Sequence, residues 1–172
     1  MALRLFIQGV LNYTETIPNV EPLHVRVWNN QVQGMIDQSI QAIPLPAVFV
    51  EFVFNGGGHD AEYLTARDMT VRFHIVTELL NTEGSFEQNM KIYDLRDLIL
   101  QYFTKWHVDT AGLPFNFTPF QLVGEQPQYD HTNLYEYVIE FSTYFSQALG
   151  TAQQIQQTQG TFTDLIIHPS KL

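Results

Sequence analysis

"AIPLPAVFVEFVFNGGGHD", residues 42–60, decides how this chain is read. Pro44 and Pro46 lack the N–H that a sheet interior needs, so they lead into a strand rather than lie within one. From Ala47 onward the residues alternate. Val48, Val50, Phe52 and Phe54 face one way; Ala47, Phe49, Glu51 and Val53 face the other. Gly56-Gly57-Gly58-His59-Asp60 then poses a choice between a chemical site and a connection. The segment "MTVRFHIVTEL", residues 69–79, supplies the partner strand, with Met69, Val71, Phe73 and Ile75 on an apolar face. Its other face carries Thr70, Arg72, His74 and Glu78. Matching the apolar faces in a hairpin puts Glu51 and Arg72 together on the opposite face, a cross-strand pair worth ~0.2–1 kcal/mol. Glycines between two paired strands are a turn signal, so residues 56–60 are expected to be the loop of this hairpin.

Working outward, Leu3, Phe6, Ile7, Val10 and Leu11 sit at helical spacing and predict a helix over residues 2–12. Pro18 and Pro22 end it. "LHVRVW", residues 23–28, alternates as a short strand, while the Gln- and Asn-rich stretch 29–41 fits neither period. "SFEQ", residues 85–88, reads as a capping box ahead of the clearest helix, whose stripe is Leu95, Leu98, Ile99, Tyr102, Phe103 and Trp106. "PFQLVGEQ" (119–126) and "NLYEYVIEFSTYF" (133–145) predict a second hairpin turning near Asp130 and His131. From Gly150 the chain turns polar and low in complexity, and "FTDLIIH" (162–168) lies stranded beyond it. The expected architecture is α+β, with residues 1–149 as one domain and 150–172 as a C-terminal arm. An antiparallel or mixed sheet carries two helices on one face. Its other face, with Glu51, Arg72, His74, Glu78, Glu136 and Glu140, is expected to be wet or to meet a partner. Phe162, Leu165, Ile166 and Ile167 make the arm a candidate contact between subunits.

A chain of 172 residues with 45% hydrophobic and 13% aromatic residues buries one proper core. Its 18 acidic residues outweigh 8 basic ones, giving a net charge of −10. Lys and Arg occur singly, so no basic stripe is available to neutralise phosphates. Without cysteine there is no disulfide framework and no thiolate zinc site. No apolar run approaches the ~18 residues of a membrane span, and residues 1–9 do not read as a secretory signal. These features read as a soluble, intracellular chain.

The chemical motifs are sparse. Gly56–Asp60 matches neither a P-loop nor a dinucleotide fingerprint. His24, His59, His74, His107, His131 and His168 show no paired ligand spacing, so no metal or cofactor is expected. Asp94 and Asp97 flank Arg96 at helical spacing and read as a solvated face. There is no Gly-x-Ser-x-Gly elbow and no thiol nucleophile. "NYT" (12–14) and "NFT" (116–118) carry no weight as glycosylation sites without a signal peptide. An enzyme built on His59 and Asp60 is the weakest reading.

An N-terminal helix, "VRVWNNQ" (25–31), "PLPAVFVEF" (44–52), "MTVRFHIVTE" (69–78), "IYDLRDLILQYF" (92–103) and "NLYEYVIEFSTYF" (133–145) follow one another in an informative order. Over residues 2–148 the chain resembles the tail-terminator and tail-completion proteins of tailed bacteriophages, which form rings at the head–tail junction. The resemblance implies a sheet-and-helix subunit, a homomeric ring of six or twelve copies and no enzymatic activity or cofactor. It further implies neighbouring neck, portal-side or tail proteins as partners, DNA only in passing through the lumen, and no membrane. The protein is then expected in the virion, assembled in the host bacterial cytoplasm, and the arm lies outside the pattern. An acidic chain fits a passage that must not hold DNA. The alternatives are another connector or adaptor ring of the same particle, or an intracellular small-molecule-binding or regulatory domain.

Overall fold

Strand pairing follows the alternation around Val50. In the computed structural model, which describes residues 2–18, 24–37, 43–61, 64–78, 86–128 and 134–148, β2 (Ala47–Ala61) runs antiparallel to β3 (Leu64–Glu78). Val48 lies opposite Ile75, Val50 opposite Phe73 and Glu51 opposite Arg72, which is the register the matched faces demand. The ladder does not end at Phe54. It shifts register and resumes from Gly58 with Arg67 to Ala61 with Leu64, so Gly56–Asp60 lies inside the strand rather than forming the expected loop. The physical reason is a close backbone approach. Gly58 has φ 153°, and a Cβ there would stand 2.1 Å from the Ala66 carbonyl oxygen. Only glycine fits, and the irregularity lets the strand continue rather than turn.

The remaining strands assemble on this hairpin. β1 (His24–Val27) adds parallel to β2, and β6 (Leu134–Ala148) pairs with β3 along its whole length. The far edge of β6 takes two short strands, β4 (Phe115–Phe117) and β5 (Gln121–Gln128). The result is a six-stranded mixed sheet in the order β1-β2-β3-β6-β4, with β5 beside β6. The predicted turn near Asp130, the capping box Ser85–Gln88 and the arm with Phe162, Leu165, Ile166 and Ile167 lie outside the described residues and side chains, as does the 149/150 boundary.

Two helices cover one face, as the sequence predicts. α1 (Ala2–Glu15) turns Ala2, Phe6, Val10 and Tyr13 inward, and α3 (Phe86–Phe103) turns Ile92, Leu95, Ile99 and Phe103. Both stripes meet Val48, Val50, Val71, Phe73, Ile75, Ile139 and Phe141 in one cluster. Leu98 and Tyr102 are only half-buried on the flank of α3, whereas Trp106 is buried from the turn beyond the helix. That turn follows Lys105, whose φ of 61° breaks the helical run.

The other face departs from expectation. The ambiguous stretch after β1 contains a third helix, α2 (Gln31–Ile36), and its Val32 packs on Ala47, Phe49 and Val76. Trp28, Met35, Ile43, Leu45 and Leu134 close around them. Three apolar residues on the nominally polar face need a cover, and one six-residue helix with a tryptophan provides it.

Candidate functional site

The charged face is built by register. Glu51 on β2, Arg72 on β3 and Glu140 on β6 stand in one row across three strands. Arg72 Nε donates to Glu140 Oε1 at 2.7 Å, and Arg72 Nη1 donates to Glu51 Oε2 at 3.1 Å. Burial works against the Arg72 charge, but the two carboxylates prevail and hold its pKa above the ordinary value. One guanidinium therefore bridges two anions that would otherwise repel each other.

His74 sits two residues along β3 on the same face. Its Nδ1 lies 2.6 Å from Glu136 Oε1, and its Nε2 lies 3.6 Å from Glu51 Oε2, beyond hydrogen-bond reach. The Trp28 ring lies flat on the imidazole, with centroids 4.0 Å apart and planes 4° apart. His74 and Glu136 are accordingly buried, at 7% and 3% exposure, so the expectation of a wet face is corrected for both. The cause is Trp28, anchored by its main-chain N–H to the Val50 carbonyl at 2.8 Å. Glu51, Arg72 and Glu140 stay half-exposed, and Glu78 is exposed at the end of β3, opposite Leu134.

The sequence thus identified five residues that the structure brings together, namely Glu51, Arg72, His74, Glu136 and Glu140. It missed Trp28. The available signal was an aromatic directly after a short strand, followed by Asn29-Asn30. A second network ties α3 to β5: Arg96 makes a two-pronged contact with Glu125 and donates to Asp97 at 2.6 Å. Those hydrogen bonds pull the Glu125 carboxyl below its usual range, with burial opposing. At the far end of the hairpin Arg67 pairs with Asp60 at 2.7 Å in solvent.

Chemically, these groups spend their polarity on one another. Among the described residues no group of three or more His, Asp or Glu is placed to hold a metal ion. A hollow of about 390 Å³ opens between Asn55, Asp68, Thr118, Gln121, Ser142 and Tyr144. The bordering Thr143 hydroxyl donates to the Thr118 carbonyl at 2.6 Å, and the Asn55 amide donates to Thr70. The sheet's two edges are unlike. Leu122 and Val123 stand out from β5 at 43% and 60% exposure, while Val27 and Ile36 stand out near β1 at 43% and 38%.

No family model matches this chain, and no curated protein matches it either. Among the described residues no helix is long and apolar enough to cross a membrane.

Proposed function

We propose that the protein is a structural subunit of a tailed-phage virion, forming a homo-oligomeric ring at the head–tail junction, a neck or tail-terminator ring through which DNA passes. The observation that carries this reading is the open sheet with two different edges. A contact made by the β4/β5 edge of one copy with a different part of the next is heterologous, and a heterologous contact that closes makes a ring. The order of elements supports it, since helix, strand, central hairpin, long helix and late strand follow the sequence of the neck-ring proteins that the chain resembles. The net charge of −10 supports it too, because a passage must repel DNA rather than grip it. On this reading the partners are other copies and neighbouring neck, portal-side or tail proteins. The charged row of Glu51, Arg72 and Glu140 stiffens the sheet and carries no catalysis, cofactor or metal.

The test is the mass of the purified protein and the subunit count at the particle's neck by electron microscopy. Six or twelve copies of the 19.8 kDa chain are expected. A monomer or dimer that is absent from the particle overturns the reading and favours a small-molecule-binding or regulatory domain. A ring at another level of the particle favours a connector or adaptor.

A further inference from the structure

We propose that the free edge of β5, over Gln121–Gln126, receives residues 162–168 of a second copy as an added antiparallel strand. The inference rests on the ring reading only in requiring a second copy. β5 pairs with β6 on one side, and among the described residues nothing pairs with its other side. An unpaired edge presents a row of main-chain donors and acceptors to any chain that lies alongside. The opposite edge of the sheet is closed from within: Arg26 donates to the Val25 carbonyl and Gln31 to the Val27 carbonyl, both at 2.7 Å. No side chain among the described residues does the same for β5.

The β5 edge is also shaped for a short visitor. The register shift between Leu122 and Gly124 throws Val123 outward, the most exposed large apolar residue among those described at 60%. Pro127 has no N–H to give and so limits any added strand to the residues before it. A long edge-to-edge pairing of two β5 strands is thereby discouraged, while a segment of six or seven residues fits. "FTDLIIH" is such a segment, and Leu165 and Ile167 fall on one side of it at strand period, able to cover Val123.

Chain length decides between the same copy and a second one. β6 ends at Ala148, and thirteen residues, 149–161, separate it from Phe162. An antiparallel strand on the same copy must begin beside Gln126, which pairs with Val138, ten residues back along β6. At ~3.4 Å per residue along a strand and ~5 Å per strand crossed, that start is about 35 Å from Ala148. A thirteen-residue polar tether has a root-mean-square span of only about 20 Å, so this closure stretches it close to its limit of ~45 Å. Same-copy addition is comfortable only for a parallel strand starting near Gln121, and parallel pairing is the less stable kind. A neighbouring copy is free of that restriction.

The absence of cysteine makes a clean test. One preparation carries Val123→Cys and another carries Thr163→Cys, Leu165→Cys or Ile167→Cys; a third carries Val123→Cys with Leu165→Cys in one chain. A disulfide forms only when the two Cα atoms come within ~7 Å. Mixing the single variants one to one and oxidising them is expected to shift up to about half of the chain, the share random mixing allows, from 19.8 kDa to twice that mass for at least one pair. Each single variant alone stays at the monomer mass. Cross-linking confined within the double variant overturns the proposal in favour of same-copy addition. No cross-link in any mixture, with ring mass intact, overturns it and leaves the ring reading standing. A monomeric, uncross-linked chain removes both.

Discussion

Truncating Phe6 to alanine is the sharpest probe of how the helices sit on the sheet. Phe6 is 2% exposed, and its ring lies 5.0–6.4 Å from those of Phe52, Phe115, Phe117, Phe120 and Phe145. It therefore joins α1 to β2, β4 and β6 and to the break between β4 and β5. Removing a buried phenylalanine side chain costs ~3–5 kcal/mol, the spread depending on how far the walls collapse. Here the walls are mostly rings held by strands, so the upper half of that range, about 4 kcal/mol, is expected. A domain is stable by only ~5–15 kcal/mol. With a urea m value of ~2 kcal/mol/M, the unfolding midpoint should fall by about 2 M. Phe6→Leu keeps much of the volume and should cost under ~2 kcal/mol. Ile7 is half-buried on the flank of α1, so Ile7→Ala should cost less than Phe6→Ala. A Phe6→Ala midpoint within ~0.5 M of the parent, or an Ile7→Ala drop larger than the Phe6→Ala drop, would refute the seating of α1.

Arg72→Met leaves Glu51 and Glu140 facing each other without their shared cation, and should cost ~1–2 kcal/mol. Adding Glu51→Gln to it should recover part of that loss in urea titrations; a loss no larger than that of Glu51→Gln alone would count against the bridging role. For Glu125 the folded-state pKa lies below the ordinary value because Arg96 donates to it, so its stabilisation is present above pH ~4.5 and fades as pH falls through the lowered value. Glu125→Gln should thus be less stable than the parent by ~0.5–1 kcal/mol at pH 7, with the gap closing as pH falls through the lowered value; a gap that persists in acid speaks against the pairing. Gly58→Ala drives a Cβ into the Ala66 carbonyl and should cost ~1–3 kcal/mol. Gly56→Ala meets open space and should cost under ~1 kcal/mol, so equal losses by thermal unfolding would contradict the close approach at Gly58 alone.

What the sequence made legible was periodicity. Alternation at Val48–Phe54 and Met69–Ile75 specified both strands and their register, because slipping by one residue would have exposed Phe73 and buried Arg72. The stripe Leu95, Ile99 and Phe103 specified α3. Local glycine chemistry misled: three glycines read as a turn, whereas only contact with Ala66, on the partner strand, required glycine at position 58. The burial of His74 and Glu136 was illegible for a related reason. Both lie on the polar side by parity, and Trp28 covers His74 from the end of a short strand whose alternation gave no sign of reaching across the sheet. Leu122 and Val123 looked like ordinary strand residues until the β5 register shift turned them outward.

The two-sided packing has an optical consequence. The chain contains two tryptophans, and each serves a different face: Trp106 is stacked with Tyr13 under the helices, while Trp28 lies on His74 beside α2. Their emission therefore divides cleanly between the two layers. Replacing either one by phenylalanine leaves a spectroscopic witness to the other layer alone, so loosening of the small α2 cover can be followed separately from melting of the main core. If the cover lifts first during denaturation, Trp28 will redden in urea that leaves Trp106 unchanged, and the unfolding of the sheet will be seen to proceed one face at a time.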